Sequence, residues 1–202
     1  MVSKITTVLL FLAVTILQAG AEIDFTPEVK EYTAEGFTHR ELTLKHDKGT
    51  ITLGAPPRWL LRGDKAGLRL SPPDKNFVEA VIQATFFAVP PRFDEQGLKA
   101  FEEQVLKEVP GGAQAIQVVR RLENPVSVGS NPSYEIVVSY HALGYTFQRS
   151  VLFVNCPDQQ VIFRFTAPKA DYDTFNSQFR LSISSWQWVN EPAASNTAVA
   201  SR

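Results

Sequence analysis

The side chains able to do chemistry are few and scattered. The histidines are His39, His46 and His141, and the single cysteine is Cys156. A zinc site needs such ligands grouped with carboxylates or thiols, and no pair here has that spacing. His39 and His46 are seven residues apart in a strand-like stretch, a step that sends their side chains to opposite faces. Nucleophilic catalysis needs a serine or cysteine beside a base that a third group orients, and no G-x-S-x-G elbow is present. Cys156 and His141 form the one pair to weigh. They sit in loops at opposite ends of a strand pair, separated by about ten residues at roughly 3.3 Å each, far beyond hydrogen-bond reach. Glu102, Glu103 and Glu108 share the polar side of a helix and read as a solvated face. Gly111-Gly112 follows that helix instead of opening one, so it terminates the helix and does not cradle a phosphate. No catalytic residue, metal ligand or cofactor site is expected, and the chain reads as a non-enzyme.

Two charges stand out for their setting. Arg149 and Arg164 each lie in a strand otherwise rich in apolar residues, where they are placed to line the uncovered side of a sheet. With Tyr145 and Gln148 nearby in sequence they make a candidate amphipathic binding face for a partner or a small anion. Trp188 is a further candidate, as an exposed aromatic anchor. Packing of arginine stems on the sheet, with their heads in water, and burial of Trp188 in the core are the competing structural roles.

The elements that position these residues follow from the hydrophobic pattern. Glu41 to Lys45 and Thr50 to Leu53 alternate around Asp47-Lys48-Gly49 as a hairpin. Trp59 to Leu61 and Leu68 to Leu70 are short apolar pieces between turns, and Phe77 to Val89 reads as one long strand. From Asp94 to Val109 the period changes to steps of three and four through Leu98, Phe101, Val105 and Val109. That is an amphipathic helix with Asp94 as N-cap and Pro110-Gly111-Gly112 as its stop. Four strands follow, at Ala115 to Leu122, Tyr134 to Tyr140, Tyr145 to Val154 and Val161 to Thr166. A last helix over Lys169 to Trp186 carries Tyr172, Phe175, Phe179, Ile183 and Trp186 as an aromatic stripe. The expected fold is α+β, a largely antiparallel sheet packed with two amphipathic helices.

The first twenty-one residues give an address. Lys4, the apolar run Val8 to Leu17 and Ala19-Gly20-Ala21 form a signal peptide with cleavage expected after Ala21. Its apolar run of about 10 to 13 residues is short of the roughly 20 that span a bilayer, so no stable membrane insertion is expected after cleavage. A periplasmic or secreted protein is implied. Without residues 1–21 the chain holds 19 basic and 21 acidic side chains, a net charge of about −2 that lacks the basic face nucleic acid requires. One cysteine allows no internal disulfide, and Asn155-Cys156-Pro157-Asp158 reads as a turn that leaves the thiol partly exposed. Residues 22–38 read as a flexible lead-in, 39–189 as a single domain, and 190–202, poor in large apolar side chains, as a disordered tail.

The order of elements resembles the PsbP-like domain, an α/β/α sandwich. The likeness rests on Thr50-Ile51-Thr52-Leu53-Gly54-Ala55-Pro56-Pro57-Arg58-Trp59, on the helix after Asp94, and on the Val151 to Thr166 hairpin. It rests too on a closing helix in which Tyr172 and Phe179 precede Ser184-Ser185-Trp186. It covers about 140 residues, from Thr50 to Val189. The resemblance implies an exported scaffold that binds through its surface to a protein partner in the cell envelope, monomeric or weakly associating, with no catalytic residue to carry over. The competing expectation is a carrier of a small apolar ligand, held in a pocket between sheet and helices.

Overall fold

A computed structural model describes residues 22–190 apart from 88, 90 and 158. The expected signal peptide and the segment after 190 lie outside the described residues. The strands are β1 (Ile23–Ala34), β2 (Phe37–His46), β3 (Gly49–Gly54), β4 (Leu60–Gly63), β5 (Leu68–Ser71), β6 (Glu79–Phe86), β7 (Gln114–Glu123), β8 (Ser133–Ala142), β9 (Tyr145–Asn155), β10 (Gln159–Pro168) and β11 (Gln187–Asn190). The helices are α1 (Glu95–Lys107), between β6 and β7, and α2 (Lys169–Ser184), between β10 and β11.

The strands form two antiparallel sheets, a small one ordered β1-β2-β3-β11 and a large one ordered β4-β5-β6-β10-β9-β8-β7. Two of the hairpins turn through two residues that both have positive φ, Glu35-Gly36 (53° and 81°) and Leu143-Gly144 (51° and 79°). That backbone matches the twist of the flanking strands.

The large sheet is covered on both faces. On one, Val161, Phe163, Phe165 and Ala167 of β10 meet Leu42, Leu44, Ile51 and Leu53 of the small sheet and Tyr172, Phe179, Ile183 and Trp186 at α2 in a single buried core. On the other, Tyr134, Ile136, Val138 and Tyr140 of β8 meet Phe101, Val105 and Val109 at α1. β8 and β10 each alternate, and their apolar sets point to opposite sides of the sheet. One helix lies on each side, and the small sheet shares the α2 side.

The segment 22–38 is also corrected. It forms β1 and the start of β2, with Ile23 and Phe25 in the core. Pro27 sits where the β1–β2 register shifts between Asp24 and Glu28, on the edge strand of the small sheet. An edge bulge is a place where a proline costs no ladder bond. Cys156, expected partly exposed, is buried.

Helix α1 begins as the sequence predicts. The Asp94 side chain accepts from the backbone N–H of Gly97 at 2.9 Å. Gly97 is required there, since a Cβ would lie 1.9 Å from the Arg92 carbonyl oxygen. Asp94→Ala should cost about 1 kcal/mol in urea unfolding, the usual worth of such a cap. An unchanged midpoint would mean that α1 is held by its packing alone.

At the other helix, serines join the last turn of α2 to β3. Ser182 donates its hydroxyl to the Gly54 carbonyl, and the Gly54 N–H donates to Ser185 Oγ at 2.8 Å. Beneath α2 lies a buried polar cluster. Glu135, 2% exposed, accepts from Arg180 Nη2 on both carboxylate oxygens, at 2.6 and 2.5 Å, and from the Ser150 hydroxyl. Burial, with the Glu135 charge as a second cause, pushes the neighbouring Tyr172 phenol up to about 12. An unfolded tyrosine ionises near 10, so between pH 10 and 12 the unfolded chain gives up this proton while the native one keeps it. Fewer protons in the unfolded state make stability fall as pH rises, by up to about 3 kcal/mol across that window, with nothing lost below it. The check is alkaline unfolding followed by circular dichroism and tyrosinate absorbance. Tyr172→Phe should flatten the decline between pH 10 and 12.

Candidate functional site

At one end of the large sheet a groove of about 630 Å³ opens between residues 75–79, the loop Pro110 to Ala113 after α1, and the β8–β9 hairpin. The elements that frame it are local products of the sequence. Pro110-Gly111-Gly112 stops α1 over the sheet end, and Leu143-Gly144 turns β8 into β9. A Cβ at either Gly111 or Gly112 would meet nothing within 4 Å, so that rim is open.

The walls are aromatic. Tyr140 and Phe147 stack at 5.5 Å and Phe77 stands edge-on to Phe147 at 6.0 Å, while Tyr145, just outside the lining, lies 5.8 Å from Phe77. Phe77 has φ +66°, a left-handed conformation that a bulky residue adopts only when its surroundings hold it there. Its ring nevertheless remains half exposed, as does Tyr145, and Leu143 at the hairpin tip is more exposed still.

Arg149 lies at the back of this groove and is 9% exposed. Its Nε donates to Thr166 Oγ1 at 2.9 Å and its Nη1 to the Glu108 carbonyl at 2.5 Å, while the guanidinium faces the Tyr140 ring at 5.6 Å. These partners are neutral, and no ion pair to Arg149 is found among the described residues. Burial accordingly pushes its pKa below the usual arginine value and raises that of the Tyr140 phenol. A cation held this way favours an anion that reaches it.

The larger cleft, about 710 Å³ between β2 and residues 57–60, contains a contrasting arginine. Arg40 there has Glu31 at 3.1 Å as counter-ion and donates to the carbonyls of Trp59 and Pro56. Its charge is already answered.

The sequence candidates divide. Arg149 and Tyr145 come to the same aromatic cluster. Arg164, on the α1 face beside them, spends its charge on the Glu108 carboxylate at 2.9 Å. Neither arginine lines an uncovered side of the sheet, because α1 and the loop after it lie over that face. Gln148 points to the opposite face, across from Ser139 of β8. Trp188 is on β11, partly buried against Trp186 and His46, and lines a different cleft with Cys156 and Gln159. Sequence reasoning missed Phe77, Tyr140, Leu143 and Phe147. The turn-forming run before Phe77 marked a chain reversal, but nothing in it marks a left-handed phenylalanine.

Among the described residues, no helix is long and apolar enough to cross a membrane, and no group of three or more His, Cys, Asp or Glu is placed to hold a metal ion.

No family model matches the chain, and no curated protein matches it. Solved structures do. The chain is similar to cyanobacterial PsbP from Synechocystis sp. PCC 6803, at 12% identity and a TM-score of 0.49 over 80% of this chain and 92% of that one. It is similar to LpqN of Mycobacterium tuberculosis, involved in cell envelope biogenesis, at 16% identity and 0.48 over 79% and 91%. It is also similar to PA94, a protein of unknown function from Pseudomonas aeruginosa, at 14% identity and 0.44 over 82% and 99%. Likenesses at these identities and TM-scores carry neither a family nor a function across to this chain.

Proposed function

We propose that this chain is an exported, non-enzymatic binding module that engages a protein partner of the cell envelope through the groove end of its large sheet. The observation that carries the reading is the cluster of half-exposed Phe77 and Tyr145 and exposed Leu143 around a groove backed by a buried arginine. Large apolar side chains grouped at a surface, with an arginine among them, have the composition of interface anchors. Lys4, the run Val8 to Leu17 and Ala19-Gly20-Ala21 support export.

The carrier alternative asks for an enclosed pocket between sheet and helices. That layer is filled instead, with Phe165 in ring contact with Trp59, Tyr172 and Phe179, and the clefts of 420–710 Å³ all open to solvent. Close packing there supports a module that works through its outside.

The test is capture from an envelope extract by the chain from Glu22 to Arg202, beside the same chain with Leu143→Ser and Tyr145→Ser. Both substitutions fall on exposed side chains and should leave folding intact. Loss of about tenfold in the captured partner is expected if these are anchors worth about 1.4 kcal/mol between them. Equal recovery by both chains would remove this end of the sheet from the reading.

A further inference from the structure

We infer that the groove at Arg149 is a binding site for a carboxylate carried on an apolar body, with the anion against the guanidinium and the body between Phe77, Phe147 and Leu143. The inference rests on reading this end of the sheet as a binding surface, and it adds the chemistry of what enters.

Three independent features point the same way. First, the arginine is nine-tenths buried, its partners are all neutral, the Thr166 hydroxyl, the Glu108 backbone carbonyl and the Tyr140 phenol, and no carboxylate pairs with it among the described residues. A buried cation with neutral partners recovers its lost hydration most fully from a charged acceptor. Thr166 Oγ1, which accepts from Nε, keeps its own proton to donate to the same oxygen. Second, the acids nearest the site are already engaged. Glu79 pairs with Arg69 at 2.6 Å and the Glu108 carboxylate with Arg164 at 2.9 Å. The groove's other cation, Lys75, is paired with Asp171 at 2.7 Å, so the open positive charge is the single one of Arg149. One guanidinium suits a monoanion better than a phosphate ester carrying two charges. Third, Phe77 is kept left-handed and half exposed, an expensive arrangement whose visible result is an aromatic wall beside the arginine. A volume of about 630 Å³ lies within the range of small-molecule sites.

Two sources supply this chemistry, a free aromatic or aliphatic acid and the C-terminus of a partner chain ending in an apolar residue. Titrations of the chain from Glu22 to Arg202 with 4-phenylbutyrate and 4-phenylbutyramide, and with a short peptide ending in phenylalanine as free acid and as amide, separate them. Each is followed by calorimetry and by the Arg149 Nε–H resonance. The acid of at least one pair should bind about tenfold or more tighter than its amide, as expected where a charge-assisted bond is lost, and should shift that resonance. The tighter of the two acids identifies the source.

Phe77→Gly suits the backbone φ and keeps the fold, and it should weaken acid and amide by the same factor. Arg149→Gln should abolish the preference for the acid. Should that variant fail to fold, the resonance and the acid-to-amide ratio in the unsubstituted chain decide. Equal binding of acid and amide, binding of neither at millimolar concentration, or a preference surviving in folded Arg149→Gln would each overturn the inference. Envelope capture lost with Leu143→Ser and Tyr145→Ser, without any acid preference, would leave the binding module standing and this site refuted.

Discussion

Phe165→Ala should lower the stability of this domain by about 4 kcal/mol, the cost of removing a large ring from a core that can only partly close over the space. Phe165 is 1% exposed at the centre of β10, and its ring meets Trp59 at 6.5 Å, Tyr172 at 5.5 Å and Phe179 at 6.0 Å. It therefore joins the loop before β4, helix α2 and the large sheet. For a domain of ordinary stability, near 5–15 kcal/mol, such a loss is a large share of the whole. Urea unfolding followed by tryptophan fluorescence measures it, because Trp59 reports the same contact. A loss below about 1 kcal/mol would show that α2 does not depend on this ring.

Arg180→Met should cost about 3 kcal/mol or more, and the interest lies in its asymmetry with Glu135→Gln. Removing the arginine strands a carboxylate that is 2% exposed and has the Ser150 hydroxyl as its remaining partner. Removing the charge on Glu135 instead leaves an arginine whose side chain is 26% exposed and can turn its head to water. The first change should therefore hurt more than the second, and Glu135→Leu with Arg180→Met should recover much of the loss. If the two single variants cost the same in denaturant unfolding, the pair is being held by something other than the desolvation of Glu135.

What could be read from the sequence was what neighbouring residues decide among themselves. Asp94, the three-and-four spacing through Phe101 and Val105, and the glycines after Pro110 define α1 without reference to the rest of the chain. The same holds for the β8–β9 hairpin, whose turn needs only Leu143-Gly144. Which side of a sheet each strand turns to the core depends on register between strands, so Tyr134 and Phe163 were both legible as buried while their opposite directions were not. Local signals also misled. Residues 22–38 read as a lead-in, yet Pro27 at an edge bulge and Gly36 in a two-residue turn are compatible with a strand whose first residues, Ile23 and Phe25, anchor the core. At the candidate site, Arg149 and Arg164 were conspicuous as charges among apolar neighbours. Their difference was not visible, because it is set by the Glu108 carboxylate beside one and by Thr166 and a carbonyl beside the other.

The small sheet is completed by the last strand of the described chain. β11 pairs with β3, Gln187 with Thr52 and Asn190 with Gly49, across more than two-thirds of the sequence. A growing polypeptide therefore offers β3 with one side unfilled until residues 187–190 have been synthesised. Contacts so distant close slowly, since the loop entropy must be met before they form. If the chain is exported as proposed, that delay would help keep the precursor open enough for a secretion channel to thread it.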